Sequence, residues 1–433
     1  MKRILSAIIV SLLMSTQALI AQSEAGAIFL LIAPGGRAEG MGEAQVAASN
    51  DAYATYWNPA GLGFLESNEL GIMHVKWLPN LADDMYYDFL TGAYRIKGLG
   101  TVGGHIIYLN LGEQQRTDEN GNELGTFVSY MTALTLSYGT QITPNSAFGL
   151  NAKVVYQMLS PYGTIQEKGR GDALSFGFDF GYLKKRFLLS RLDFGVNVSN
   201  IGPKVAFIDV AQADPMPTNL KLGFNLRAVE SEHNQLSFVV DANKLLVASY
   251  PAMDKNGDFL IGENETAYTD PWYKALITSW FDDWRYVGDI DFSGDGIIGG
   301  YDEEGVRQGW FDADGNEKVG GIYDQSGIEV GWGEYGGREG SPQTFPKEIG
   351  SKNSGTFANE IEKMVFNVGL EYVYGGIIAL RAGYIYDRAG SINNPTLGFG
   401  LKYNRLGFDF GYTSGQEGHP LTNTMRISLR YLF

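Results

Sequence analysis

Between Leu421 and Phe433 the chain alternates residue by residue. Met425, Ile427, Leu429, Tyr431 and Phe433 share one face, and Thr424, Arg426, Ser428 and Arg430 share the other. Successive side chains point to opposite sides of a strand, so the pattern predicts a strand with one apolar and one charged face, ending on an aromatic residue. The same period recurs upstream. Leu174, Phe176, Phe178, Phe180 and Tyr182 alternate with Ser175, Gly177, Asp179 and Gly181, and Leu220, Leu222, Phe224 and Leu226 with Lys221, Gly223, Asn225 and Arg227. Period-two runs bounded by turn residues predict strands at 68–77, 85–95, 99–111, 128–141, 145–158, 172–184 and 190–199. Seven more follow at 217–228, 234–244, 361–374, 376–388, 394–404, 406–415 and 421–433. Fourteen is an even number, as a bacterial barrel with both ends on one side requires. The fold expected is all-β: a transmembrane antiparallel β-barrel of about 14 strands.

The connections support this reading. Links 2–3, 4–5, 8–9, 10–11 and 12–13 are tight, as at Lys97-Gly98, Thr143-Pro144-Asn145 and Asn404-Arg405. Links 3–4, 5–6, 7–8 and 9–10 are long, while 1–2, 11–12 and 13–14 are intermediate. Alternation of short and longer links is the asymmetry between periplasmic turns and extracellular loops in such barrels. At the other end of the chain, Lys2 and Arg3 precede an apolar run from Ile4 to Ile20, followed by Ala21-Gln22. That order reads as a secretory signal cut after Ala21, with Ala27 the alternative because Leu19 is bulky at the third position before the cut. The organisation expected is a signal at 1–21, a plug-like segment at 22–67 and a barrel at 68–433, with 245–360 as an extracellular insertion.

Composition adds exclusions. Hydrophobic content of 44% is ordinary for a soluble protein, and it suits a barrel in which only alternate residues meet lipid. Gly 57, Tyr 25 and Phe 24 are high, as curved strands and aromatic girdles require. Cys 0 removes disulfides, thiolate catalysis and thiolate-bound zinc. A net charge of −16 argues against nucleic acid as a partner.

Most of that charge lies in one place. Residues 245–360 hold 22 acidic and 8 basic side chains. Within them, Asp291, Ser293, Asp295 and Asp302 occupy positions 1, 3, 5 and 12 of a loop with Gly296 at 6, and Ile297 would offer its carbonyl at 7. This is the spacing of an EF-hand or dockerin calcium loop. Asp254, Asn256, Asp258 and Glu265 repeat positions 1, 3, 5 and 12 with Phe259 in place of the turn glycine, and Asp312, Asp314 and Asn316 begin a third copy with Tyr323 at position 12. A structural Ca2+ that orders this long loop is the expectation, against a solvated acidic loop with Asp-Gly turns. No organic cofactor is expected.

Catalysis finds little support. The four histidines are His74, His105, His233 and His419, and their strand, turn and loop positions assemble no Ser/His/Asp grouping on one rim. Carboxylate spacing in the acidic loop follows calcium ligation better than glycosidase geometry. A non-enzymatic protein is expected.

The segment before the first strand carries a family resemblance. It runs Ile32-Ala33-Pro34-Gly35-Gly36-Arg37-Ala38-Glu39-Gly40-Met41-Gly42, then Val46 to Tyr53, and ends Tyr56-Trp57-Asn58-Pro59-Ala60-Gly61-Leu62. Together with Trp77-Leu78-Pro79-Asn80-Leu81, Tyr87 to Tyr94, Tyr108 to Glu113 and Thr117 to Gly121, it resembles the PorV/PorQ family of outer-membrane proteins, a branch of the FadL-like fourteen-stranded barrels. The resemblance covers roughly residues 27–185 and is architectural beyond them; Gly35-Gly36 departs from relatives that carry Asp after the proline. It implies a non-enzymatic part in type IX secretion, with Asn58, Pro59 and Ala60 as a family motif. Such carriers bind secreted cargo proteins by their C-terminal signal domains, dock against the outer-membrane translocon barrel and hand cargo to a surface attachment complex. FadL relatives instead pass hydrophobic compounds, and that is the alternative. A carrier predicts exposed apolar loop residues. Trp77, Leu78 and Pro79 in loop 1–2, with Val205, Phe207 and Ile208 in loop 7–8, are the candidates for partner contact. A transporter predicts an apolar lumen and a gap in the wall, whereas inward residues such as those of the last strand read as small or polar.

Overall fold

The computed structural model describes residues 25–117, 122–162, 171–207, 213–257, 260–282, 284–285, 288–291, 356–415 and 423–433, with the backbone of four short segments between 309 and 331. The expected signal at 1–21 lies outside these residues. Fourteen antiparallel strands close into one barrel in chain order. They are β1 (Glu69–Lys76), β2 (Tyr86–Ile96), β3 (Gly100–Thr117), β4 (Glu123–Thr143), β5 (Ser146–Ser160), β6 (Gly171–Lys184) and β7 (Leu192–Ile201). The second half comprises β8 (Asn219–Glu230), β9 (Asn234–Leu245), β10 (Val365–Tyr374), β11 (Ile378–Asp387), β12 (Ile392–Tyr403), β13 (Leu406–Thr413) and β14 (Thr424–Leu432). The last strand closes on the first, from Glu69↔Leu432 to His74↔Ile427. The long insertion does not interrupt the wall, because β9 pairs directly with β10 from Asn243↔Val365 to Asn234↔Tyr374.

Alternation sorts the residues as a membrane demands. On β6, Leu174, Phe176, Phe178 and Phe180 are exposed while Ala173, Ser175 and Asp179 are buried. Apolar side chains outside and polar ones inside make a barrel whose solvent is lipid. Aromatic side chains mark one edge of the apolar band. His74, Tyr86, Tyr108, Tyr130 and Tyr156 form a chain across β1 to β5, with ring centroids 5.8, 6.1, 5.7 and 6.1 Å apart. A second aromatic lies eight residues along the same face, Tyr94 on β2 and Tyr138 on β4. Eight residues of tilted strand give a height of roughly 20 Å, close to the apolar band of outer-membrane barrels.

Three boundaries differ from the sequence expectation. Strands β3 and β4 run on beyond the girdle to Thr117 and back from Glu123, so link 3–4 is a projecting hairpin and not a long loop. Their outer seven residues add about 23 Å of strand. The tenth strand starts at Val365 because Phe357–Glu362 is helical. The Asn359 side chain accepts from the Thr356 amide at 3.0 Å, a capping arrangement that favours the helix at that point. Link 11–12 also shortens, to residues 388–391.

The barrel unit includes residues 24–248, 269–280 and 360–433, and within it lies a helix over Trp272–Thr278. A second compact unit contains 249–268 and 281–359. In it Met253–Asp254 pairs with Asp289–Ile290, Gly309–Phe311 with Glu317–Val319, and Ile322–Tyr323 with Glu329–Gly331.

Leu134 lies on the outer face midway between Tyr130 and Tyr138 and is exposed. Leu134→Arg should destabilise the barrel by about 2–4 kcal/mol, as a cation does near the bilayer midplane. Urea unfolding in lipid vesicles, followed by tryptophan fluorescence, measures it; a change under about 1 kcal/mol would move the midplane away from this level.

Candidate functional site

The inside of the barrel is occupied by the chain's own N-terminal segment. Residues 25–65 touch the inner face of every strand. The Gly36 amide donates to Ser428 of β14, the Gly42 amide to Thr396 of β12, and the Gln45 and Val46 amides to one carboxylate oxygen of Asp241 of β9. On the other side Asn151 of β5 donates to the Thr55 carbonyl and Asn197 of β7 to the Trp57 carbonyl. Irregular backbone carries amides and carbonyls that no ladder pairs, so inward polar side chains must satisfy them.

The Asn58-Pro59-Ala60 triplet shows how tightly this fits. Asn58 accepts from the Ala60 amide at 3.1 Å and so starts a 3-10 helix, Pro59–Phe64, with proline in its first turn. Its amide group donates to the Val46 carbonyl at 3.2 Å and to the Tyr182 carbonyl of β6 at 3.1 Å. A side chain on Gly149 of β5 would overlap the Pro59 carbonyl, and one on Gly383 of β11 would overlap the Gly42 backbone. Glycine at these inward positions lets two backbones meet directly.

A buried ionic chain locks the opposite half. Arg37 makes paired bonds to Glu371, at 2.9 and 3.0 Å, and a third to Asp51 at 3.1 Å. Arg381 joins Glu371 at 2.7 Å to Asp409 at 2.8 Å, and Arg430 joins Asp409 at 3.1 Å to Glu69 at 3.2 Å. Arg426 pairs with Glu39 and, at 2.9 Å, with Glu43. Each charged group has at least one partner of opposite sign, which is the condition for burying it. The partners come from both the N-terminal segment and strands β1, β10, β11, β13 and β14, so the ionic chain ties the plug to the seam where the barrel closes.

The lumen is not uniformly polar, and here the sequence expectation is corrected. Met73, Val75, Tyr87, Phe89, Ile107, Leu109, Ala133 and Val155 face inward from β1 to β5 and pack with Phe29, Leu30, Tyr56 and Trp57. Their strands are apolar on both faces, as Ile106-Ile107-Tyr108-Leu109 shows, so alternation does not announce the inner face. The same cluster contains Val205, 1% exposed, and Met216, with Phe207 and Trp77 partly buried against it. Val205 is therefore a core residue and not an exposed loop contact: it pairs with Asp214 in an isolated bridge. Trp77, Leu78 and Pro79 are half-buried. Ile208 lies outside the described residues. Exposed apolar residues that sequence reasoning missed stand elsewhere: Leu81, Leu124 and Val128 near or on the projecting hairpin, and Trp272, Tyr273 and Ile277 on the insertion helix. Leu124 and Val128 fall beyond the segment read as strand 128–141 or at its very edge, which hid them.

Of the proposed calcium ligands, Asp254, Asn256, Glu265 and Asp291 are described, whereas Asp258, Ser293, Asp295, Ile297 and Asp302 lie outside the described residues, as do Asp312, Asp314 and Asn316. Positions 1 and 12 of the first loop do converge. Asp254 accepts from the Asn256 and Gly257 amides at 3.0 and 2.7 Å, and Glu265 from the adjacent Lys255 amide at 2.8 Å. Among the described residues no group of three acidic or histidine side chains is placed to hold a metal. His74 pairs with Asp88 at 2.6 Å on the outer face, and His105 stacks on Phe89 inside; His419 lies outside the described residues.

Removing one partner of the ionic lock leaves the other charge buried. Arg37→Ala should cost about 3–5 kcal/mol of barrel stability. Replacing Arg37 and Glu371 together by Met should recover most of it. Denaturant unfolding of the three proteins in detergent checks this, and additive losses in the double variant would refute the coupling.

The model for the type IX secretion system protein PorV matches residues 16–252, more than half of the chain. No curated protein matches the chain. Solved structures similar to it include the Ralstonia pickettii toluene transporter TbuX, at 14% identity and a TM-score of 0.46, covering 94% of this chain and 100% of that one. The Pseudomonas putida toluene transporter TodX is similar at 12% identity and a TM-score of 0.41, covering 92% and 96%. A Pseudomonas aeruginosa FadL homologue is similar at 10% identity and 0.39, covering 91% and 97%. The inward-packed glycine and Asn-Pro-Ala segments fall inside the matched region, in an outer-membrane barrel of fourteen strands, and the chain belongs to the PorV family of type IX secretion system proteins.

Proposed function

We propose that this chain is a non-enzymatic carrier of type IX secretion. It binds secreted proteins through their C-terminal signal domains, docks against the translocon barrel and passes cargo to a surface attachment complex. The observation that supports this reading best is the filled lumen, because a barrel interior packed against its own N-terminal segment on every strand leaves the loops as the working surface. The β3–β4 hairpin, with Leu124 and Val128 exposed beyond the girdle, suits protein contact: apolar side chains held on rigid strands lose little entropy on docking. The acidic insertion is a second candidate contact region in its own right, with Ca2+ ordering its loops through Asp254, Asp291 and their neighbours.

A second reading is uptake of hydrophobic compounds. It is favoured by the apolar cluster inside β1 to β5 and by the wall itself: β7 ends at Ile201 opposite Phe178, so the first residues of β6 extend past it. Crosslinking and mass spectrometry of the tagged barrel from its native outer membrane separates the two. Recovery of a giant translocon barrel, or of exported proteins sharing a C-terminal domain, supports the carrier. Recovery of the barrel alone with hydrocarbon in its lumen overturns it. Leu124→Asp with Val128→Asp should lower cargo recovery at least about tenfold, the effect of losing one apolar anchor, without altering the heat-dependent gel mobility of the folded barrel.

The calcium role is tested by isothermal titration of the full chain, stripped of metal, with Ca2+. Saturable heat that Asp291→Ala plus Asp295→Ala removes is the expected result; no heat from the parent protein would sink it.

A further inference from the structure

The loops do not account for a feature at the opposite, short-turn end. There a cavity of about 590 Å3 opens beside the 3-10 helix Pro59–Phe64, and its lining includes Glu66, Arg95, Gln141, Lys185, Arg186 and Arg227. The alternation that builds the lumen sends four of these side chains to one place, and Glu66 and Arg186 join them from the adjoining connections. Ala93 and Arg95 continue the inner face of β2, Gly139 and Gln141 that of β4, Leu183 and Lys185 that of β6, and Asn225 and Arg227 that of β8. The resulting cations are crowded, in a chain whose net charge is −16.

Their neutralisation is incomplete. Arg227 bonds Asp193 at 3.2 Å and Glu230 at 3.3 Å. Among the described residues, the side chains of Arg95, Lys185 and Arg186 have no ion pair; Lys185 instead stands over the Phe64 ring, 4.1 Å from its centroid. Glu66 is the one carboxylate in the lining. With Arg227 already shared between Asp193 and Glu230, four cations against three carboxylates leave about one positive charge, carried by side chains without an ion pair, which suits a phosphate oxyanion or a phosphodiester. Burial pushes the Lys185 ammonium down from its ordinary value, and Arg227 pushes the same way while Asp193 and Glu66 oppose; an anion placed there would relieve that cost. Guanidinium forks from separate strands, with the Gln141 amide, present donors from several directions, as a tetrahedral oxyanion needs.

We propose that this mouth is a binding pocket for a phosphate group, with Arg95, Lys185 and Arg186 as its principal ligands. Short turns of bacterial barrels face the periplasm, so the phosphate comes either free from that compartment or on a phospholipid headgroup of the adjoining leaflet.

The test uses the full chain in phosphate-free detergent solution, titrated with inorganic phosphate by calorimetry. Saturable binding at one site, weakened tenfold or more in Arg95→Gln/Lys185→Gln/Arg186→Gln, supports the pocket. In parallel, native mass spectrometry after extraction from phosphatidylglycerol vesicles counts retained lipid. Lipid held by the parent protein and lost by the triple variant assigns the phosphate to a headgroup. If neither ligand is held better by the parent than by the variant, the pocket is refuted. Should the triple variant fail to fold, Arg95→Gln alone serves, because its guanidinium makes no hydrogen bond or ion pair among the described residues.

Discussion

In a bilayer no water is present to satisfy a strand edge, so every backbone amide and carbonyl of the spanning region must find a partner within the protein. The ladder from β1 round to β14 and back meets that requirement, and the closing pair, Glu69↔Leu432 to His74↔Ile427, is what makes it complete. Everything else in the molecule is arranged around this closed wall. Its outer face takes the apolar residues, its edges the tyrosine chain, and its interior is left as a space that must be either wet or filled.

This barrel fills it, and the way it does so explains the lumen's chemistry. A non-helical, non-sheet segment brings its own unpaired amides and carbonyls, which are matched by Ser428, Thr396, Asp241, Asn151 and Asn197. The half of the wall formed by β10 to β14 adds charge, and Arg37 inserts between Glu371 and Asp51 as the bridge. The half formed by β1 to β5 is apolar and receives Phe29 and Leu30. One short segment therefore satisfies two unlike surfaces, and its glycines and small residues allow the close approach both require. With the interior committed in this way, the barrel's free surfaces are its two ends: the projecting β3–β4 hairpin at one and the cationic mouth at the other.

Alternation made the strands legible before any coordinate. Outward positions such as Leu174, Phe176 and Leu429 follow from period two alone, as do inward charges such as Arg426 and Arg430. The Asn-Pro-Ala triplet was visible as a motif, though its bonds to Val46 and Tyr182 were not. Loop residues were harder. Val205 reads as an exposed apolar loop residue because sequence carries no signal that a connection folds back over the lumen, and Leu124 was hidden because a hairpin that outruns the membrane has no lipid-facing alternation to mark it.

The features legible along the chain are local: which residues form strands, which face each side chain takes, and the handing of apolar groups to lipid. Those follow from the geometry of one strand and need no neighbour. Which inward groups meet depends on the closed barrel. Arg37 and Glu371 are separated by 334 residues of chain, and Arg95, Lys185 and Arg227 stand on different strands, so their proximity exists only once the ladder has closed. Pairing energies of buried charges depend on distances of a few ångströms, and those distances are set by closure and register, which no local pattern encodes.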